Sequence, residues 1–483
     1  MIESNIIADT IAAIATPRGT GGIAVIRISG PSAFETGEKI FRHKNKNFKS
    51  FTDIPANTAV FGDILERGGS DAQPRIIDEG IAVKFKAPNS YTGEDTVEIS
   101  CHGGIYITNS VLNAAINAGA RLARPGEFTQ TAYINSKISL TGAEAVGRLI
   151  SAVSETGARV ASAQSKGGLS RKICEISDNI KNIISEVYVF IDYPGEDLTD
   201  MTSEVMLEKL ILIKNELEYL KKTYNIGKII SDGLDCAIIG KPNSGKSTLL
   251  NMLSQNEIAI VHETPGTTRD IVSSRINAAG FVLNLFDTAG IRIADNDIEN
   301  IGIEKALEKI NGCELIIGVF DISEEFNQDD NNILEILKGE KNNGKKIIAI
   351  LNKCDICKPP PCGHPVLKWG FTEPLIISAK NNTVLNSDIS AYDAFIKYLE
   401  DIYKLGEYEL DSGEILTEER QYFEICAACE NINSAISALE NGFAQDMAGL
   451  DLELAVKNLD MCDSKSVSDD IVNRIFKNFC VGK

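Results

Sequence analysis

Short apolar runs broken by turns fill the first 135 residues or so. "GGIAVIRISG" and "GIAVKFKA" carry the apolar pattern of strands, and "NSVLNAAINAGARL" spaces its apolar positions as a helix ending near Gly119. These segments predict an α/β or α+β module. From about Ala145 to Tyr224 the period turns helical, as in "LEKLILIKNELEYLKK", where Leu207, Leu210, Ile211 and Ile213 repeat at helical spacing. At Leu234 the pattern changes again. "LDCAIIG", "FVLNLFD", "ELIIGVFD", "KIIAILNK" and "LIISAK" are short apolar runs parted by helical segments, which predicts a parallel sheet covered by helices. After about Ser387 helical text returns in "AYDAFIKYLEDIYKL", "FEICAACENINSAISALE" and "LELAVKNLDMC". The acid-rich stretch 406–419 reads as a solvated connection.

Two helical blocks thus flank an α/β block. Chain ends often lie close together in a domain, so one domain can be inserted into another. The expected order is an N-terminal domain at 1–135, a first helical part at 136–231, an inserted α/β domain at 232–385 and a second helical part at 386–483. The fold class is multidomain, α/β plus all-α.

A chain of 483 residues suits about three domains of common size. The net charge of −20 disfavours nonspecific polyanion binding by the whole chain. A nucleic-acid role therefore needs a local basic patch or a partner that supplies one. Eleven cysteines fit a reducing compartment, and the opening "MIESNIIADTIAAIA" carries Glu3 and Asp9 in place of a basic leader, so a cytoplasmic location is expected. No apolar run approaches the length of about 18 residues that a membrane span needs.

"GKPNSGKST", Gly240 to Thr248, fits G-x-x-x-x-G-K-[ST] between a predicted strand and a predicted helix. Backbone N–H groups of Asn243, Ser244, Gly245 and their neighbours can cradle phosphates there, with the helix N-terminus adding a favourable field. Lys246 can reach the β- and γ-phosphates, Ser247 can bind Mg²⁺, and Thr248 continues the motif. A glycine-rich turn binding nothing is the plain alternative, and three further motifs in order displace it. Asp287 ends a strand before Thr288, Ala289 and Gly290; the aspartate can order a magnesium-bound water and the glycine N–H can sense the γ-phosphate. Asn352, Lys353 and Asp355 of "NKCD" end another strand. The Asp355 carboxylate can accept two hydrogen bonds from guanine, which adenine cannot offer, so the motif selects GTP. Ser378, Ala379 and Lys380 of "SAK" can support the base through backbone N–H. Together these predict a Ras-like P-loop domain with a mainly parallel sheet.

"TPGTTRD" between the cradle and Asp287 is a switch loop in which Thr268 can complete the Mg²⁺ shell. Ile291 follows Gly290 where many such enzymes place the glutamine that aims the water. Another group must do so. Glu299 is a candidate, and it is equally an acid suited to the start of a helix. Asn243 can help hold a monovalent cation, with backbone carbonyls of 262–268 completing the shell, and such a cation would do the work of an arginine finger. Many P-loops also carry a polar residue at that place for no such purpose.

These motifs, with "ATPRGTGGIAVIRISG", "YTGEDTVEISCHGG", "ARPGEFTQTAYINSKISL" and the terminal "FCVGK", resemble the MnmE (TrmE) family of tRNA-modification GTPases over essentially the whole chain. The resemblance implies a folate-binding N-terminal domain, a helical domain and an inserted G domain. It implies a homodimer joined through the N-terminal domains, and joint action with the flavoprotein MnmG on the wobble uridine (U34) of certain tRNAs. A one-carbon unit from 5,10-methylenetetrahydrofolate, with 5-formyltetrahydrofolate as the alternative bound folate, would help build an aminomethyl-type (carboxymethylaminomethyl) group at C5. By position, Glu299 matches the water-orienting glutamate. Asn243, His262, Thr264 and Thr267 match potassium ligands in the loop that continues through Glu263, Pro265, Gly266 and Thr268. His262 and Glu263 stand where the family has Thr and Asp. The swap is harmless if the ion takes backbone carbonyls, and costs potassium dependence if it takes a side chain. Arg27, Glu98, Lys137 and Lys483 fall on folate-binding positions, and Cys480 falls near the folate as an acid, base or nucleophile. Read without the resemblance, Arg27 and Glu98 are a half-buried ion pair, and Cys480 is a small apolar side chain.

A rival reading is a regulatory switch GTPase in ribosome assembly. That class often adds a KH module with a G-x-x-G loop, and no such loop follows residue 386. Cys354, Cys357, Cys362 and His364 are close enough to suggest zinc, but Cys354 sits inside the base-reading motif. Cys426 and Cys429 read as a packed helix face, and Trp369 as packing.

Overall fold

The computed structural model describes residues 9–66, 74–192, 202–254, 272–278, 280–286, 310, 312–357, 364–368, 374–463, 469–477 and 479–482. The chain forms two compact units. The first gathers Met1–Gly147, Ser165–Asn182 and Leu452–Lys483; the second gathers Arg148–Gln164 and Ile183–Asp451.

Alternating strands build the first unit. Its sheet runs in the order Phe41–His43, Ala59–Glu66, Arg75–Phe85, Thr96–His102, Ile23–Ser29, Ile11–Ile14, Arg121–Leu122. Neighbours are antiparallel except the last pair. Strand Ile23–Ser29 turns Ala24, Ile26 and Ile28 into the core and leaves Arg27 on the other face, as a period of two requires. Helices Ala33–Ile40 and Ile105–Asn117 cover the apolar face with Ala33, Ile40, Val111 and Ala115. The C-terminal residues belong to this unit. Helix Asp469–Lys477 packs Val472 and Phe476 against Tyr133, Leu140 and Ala143. Beyond it, Val481 bridges to Pro125 and packs with Ile11, Ala13, Ala123 and Phe128. Asp463 is buried and accepts from Thr141 N at 3.1 Å and from the hydroxyl of Ser170.

The second unit holds an eight-stranded sheet. Its order is Ser387–Ser390, Thr383–Val384, Leu375–Ser378, Lys346–Asn352, Leu315–Asp321, Leu234–Ile239, Phe281–Phe286, Val272–Ala278. The five strands from Leu375–Ser378 to Phe281–Phe286 are parallel, and the outer ones antiparallel. Every residue of Leu315–Asp321 is buried, which explains its unbroken apolar text. Helix Ala391–Tyr403, capped by the Ser390 side chain, adds Ala391, Phe395 and Leu399 to this core, so the packing of the sheet runs past residue 385.

Two local readings change. Helix Ser203–Asp232 buries Met206, Leu210, Ile213, Leu217 and Leu220, while Ile211 is exposed. The stretch 406–419 is not wholly solvated, because Ile415, Leu416 and Thr417 are buried. Its backbone polar groups find partners there. Gln164 Nε2 donates to Ile415 O at 2.5 Å, and Leu416 N donates to Thr223 Oγ1 at 3.0 Å. Among the described residues no helix is long and apolar enough to cross a membrane.

Candidate functional site

Strand Leu234–Ile239 delivers the chain to the phosphate loop, and Lys246 opens the helix Lys246–Ser254 that follows. Between them the backbone turns through left-handed conformations at Asn243 (φ 61°) and Gly245 (φ 98°). A β-carbon at Gly245 would stand 2.1 Å from Asn352 Nδ2, so only glycine fits. Lys246 Nζ donates to the carbonyls of Gly240 at 2.7 Å and Lys241 at 2.8 Å, and burial lowers its pKa. Ser244 Oγ is buried with no hydrogen-bond partner among the described residues. Ser247 and Thr248 are exposed on the first turn of the helix. A glycine-lined cradle, an ammonium folded onto its carbonyls and an orphaned hydroxyl fit a phosphate chain.

The loop is tied down from behind. Lys241 is 5% exposed, with Nζ 3.0 Å from Glu324 and 3.2 Å from Asp330. Burial, the largest influence, would lower its pKa, and the two carboxylates outweigh it and raise it. Asp330 also accepts from Asn327 N at 3.2 Å in the capping box of helix Gln328–Asn342. One carboxylate thus fixes both the helix start and the phosphate loop.

Asn352 joins the cradle to the base-reading loops. It is buried, donates from Nδ2 to Ser244 O at 2.9 Å, and accepts at Oδ1 from Ala379 N at 3.0 Å. Lys353 is left-handed (φ 71°), with Nζ 2.5 Å from Asp321. For Asp321 burial is the largest influence and raises the pKa, but Lys353 and Ser323 together hold it below the ordinary carboxylate value. Asp355 and Lys380 are exposed on either side, and Ser378 is buried and accepts from Asn381 N at 3.3 Å. The sequence named these residues individually; it carried no sign that Asn352 bonds to the phosphate loop 108 residues before it and to the loop 27 residues after it.

His262, Glu263, Thr264, Pro265, Gly266, Thr267, Thr268, Asp287, Thr288, Ala289, Gly290, Glu299, Lys483, Cys362 and Trp369 lie outside the described residues. Cys354 is buried in the core beside Leu351, and His364 meets Phe326 edge-on at 5.4 Å.

The first unit brings together the other candidates. Arg27 and Glu98 are register partners on adjacent strands, with Nε donating to Oε1 at 2.8 Å. The Arg27 guanidinium lies 5.4 Å from the Tyr91 ring and 5.6 Å from the Phe128 ring. Tyr91 and Phe128 sit inside the motifs quoted above, and the sequence reading passed over both. Phe128 belongs to the apolar cluster on which Val481 packs, so the C-terminal tail joins the cluster that carries the ring beneath Arg27. Cys480 is exposed, and its carbonyl accepts from Gly126 N at 3.3 Å. Lys137 Nζ donates to Pro88 O at 3.0 Å. The turn that receives the tail is stiffened by Glu127. Burial, the largest influence, would raise its pKa, but Arg121 and Arg124 hold it below the usual range. Two aromatic rings around a cation–carboxylate pair can stack on a planar heterocycle and give it paired hydrogen bonds.

The family model described as GTP-binding protein TrmE N-terminus matches residues 10–137, and the MnmE helical domain model matches residues 140–480. The tRNA modification GTPase MnmE of Acetivibrio thermocellus is 36% identical over 477 residues, covering 98% of this chain and 99% of that protein. The protein of the same name from Clostridioides difficile is 37% identical over 480 residues, with the same two coverages. Among solved structures, Era in complex with MgGDPNP and nucleotides of 16S ribosomal RNA aligns with 41% of this chain and 66% of its own, at 25% identity and a TM-score of 0.27, too low to support a structural argument.

Proposed function

The chain belongs to the MnmE (TrmE) family of tRNA modification GTPases, and from that premise we propose that it is the GTP-hydrolysing partner in a folate-dependent modification of the wobble uridine. It would act as a homodimer with the flavoprotein MnmG, and the product would be an aminomethyl-type group at C5. The observation that best supports the reading is the return of the C-terminal tail to the Arg27–Glu98 pocket, through Val481 and Phe128. A nucleotide switch alone has no use for that pocket.

On this reading the cradle holds the triphosphate, with Lys246 leaving its two carbonyls for the β- and γ-oxygens. Asp355 and the Ser378–Lys380 loop read guanine, and Asn352 keeps base and phosphate sites in register. Glu299 orients the attacking water. Ser247 and Thr268 would hold Mg²⁺, which neutralises charge on the phosphate oxygens. Asn243 with the carbonyls of His262, Thr264 and Thr267 would hold K⁺, which adds positive charge where it develops most. Arg27, Glu98, Lys137 and Lys483 would hold the tetrahydrofolate that supplies the one-carbon unit, with Cys480 beside it.

Mass analysis of wobble nucleosides from cells lacking this chain tests the reading. The aminomethyl-type group is expected to disappear, and an unchanged nucleoside profile refutes the proposal. GTP hydrolysis is expected to run at least about tenfold faster in KCl than in NaCl, as a bound cation replacing an arginine finger requires. Equal rates in the two salts, measured at constant ionic strength, would remove the cation from the mechanism.

A further inference from the structure

The second unit has a cavity at the end of its sheet away from the phosphate loop. It measures about 500 Å³ and is lined from helix Ser203–Asp232, from the leading ends of strands Leu315–Asp321 and Lys346–Asn352, and from the close of helix Ala391–Tyr403. Nucleotides bind such sheets at the carboxyl ends of the strands. This cavity stands at the amino ends. The six residues of Leu234–Ile239 span that distance, about 20 Å.

The lining reverses the sign of the chain. Lys222, Lys228, Lys345 and Lys346 face the cavity with Tyr224 and Tyr403, and Glu314 is the one acid among the described lining residues. Two of the lysines are committed: Lys228 lies 3.7 Å from Glu314, and Lys345 lies 2.7 Å from Glu340. Lys222 and Lys346 are exposed and form no ion pair among the described residues. A lysine near a helix end ordinarily answers the helix field. That account covers neither of these. Lys222 lies ten residues before the end of its helix, and Lys346 opens a strand. Tyr224 is held flat against Tyr422, with ring centres 4.5 Å apart and planes at 22°.

Free ammonium groups beside fixed aromatic rings are the equipment with which proteins take single unpaired nucleotides. A cavity of about 500 Å³ admits one nucleotide and excludes a duplex. We infer that this cavity is a nucleoside-phosphate site for one unpaired nucleotide of the tRNA, with its phosphate between Lys222 and Lys346 and its base against the tyrosines. The choice of tRNA rests on the function proposed above. The inference also supplies the local basic patch that a chain of net charge −20 needs for contact with RNA.

Filter binding of tRNA to the full-length chain, saturated with Mg·GDP, over a salt series tests it. In Lys222→Gln/Lys346→Gln, affinity is expected to fall about tenfold and the log–log salt slope by about one, as the loss of one phosphate contact requires. Unchanged GDP affinity and melting temperature would certify the fold. Lys46→Gln/Lys49→Gln makes the same charge change on exposed lysines of the first unit and is expected to bind as wild type. Wild-type affinity and slope in the cavity variant, or an equal loss in both variants, would overturn the inference. If the wild-type chain retains no tRNA, acylation of its lysines with and without uridine 5′-monophosphate decides. Protection of Lys222 and Lys346 keeps the nucleoside-phosphate chemistry and assigns it to a free nucleotide; no protection overturns it. Failure of the tRNA-modifying reading would show separately, in the wobble nucleosides.

Discussion

Glu299→Ala is expected to lower GTP turnover by about 10²- to 10³-fold while GTP affinity stays within about twofold of wild type. On the proposed reading the phosphate grip comes from the cradle and Lys246, and the base grip from Asp355 and the Ser378–Lys380 loop, and the substitution alters none of these residues. On the proposed reading it removes the group that aims the water, a need that follows from Ile291 in the place of an amide. The rival account of Glu299, an acid favoured by the start of a helix, makes a different forecast. It allows a loss of about 0.3–1 kcal/mol in stability and leaves turnover intact. Single-turnover hydrolysis, analogue binding and thermal melting on the same preparation separate the two. Turnover near wild type would return Glu299 to a structural role.

Gly482→Val is expected to abolish tight folate binding, by at least about tenfold in affinity, and to leave GTP hydrolysis unaffected. Gly482 has φ 101°, and a β-carbon there would stand 2.0 Å from Ile14 O. That oxygen is main chain, so no rotamer relieves the clash, and the backbone strain adds about 1–3 kcal/mol. The tail must leave its seat, and with it go the Val481 bridge to Pro125 and the packing against Phe128 beneath Arg27. Calorimetric titration with 5-formyltetrahydrofolate, beside a GTPase assay, reads both halves of the forecast. Normal folate affinity in this variant would take the tail out of the pocket.

The sequence made its changes of period plain. The parallel strands and the helical blocks all lie where apolar spacing puts them, because burial on both faces or on one stripe writes directly into the text. The exact seam of helix Ser203–Asp232 was harder. Leu207, Leu210 and Ile211 satisfy the same spacing as Met206, Leu210 and Ile213, and only the packing partners choose between them. In 406–419 the charges hid buried residues, among them Ile415 and Leu416, whose backbone groups bond to Gln164 and Thr223 from far along the chain.

The candidate sites divide in the same way. The phosphate loop is local, so its residues could be named from a nine-letter motif. The Arg27–Glu98 pair is a matter of register between strands 71 residues apart, which spacing alone cannot fix. The double hydrogen bonding of Asn352 requires knowing that its strand ends beside the phosphate loop. Tyr91 and Phe128 became visible only when two separate motifs met around one guanidinium.

The bridge between Pro125 and Val481 has a consequence for how the protein is made. Roughly 350 residues separate its two ends, and at about 5–20 residues per second a ribosome needs some twenty to seventy seconds to supply the second after the first. Throughout that time the opening sheet must persist without its closing piece, and the nucleotide module, whose last packed helix ends at Tyr403, is completed before that piece emerges. A message cut short therefore yields a chain able to grip GTP but with its other chamber unfinished. Only full-length translation can switch on both.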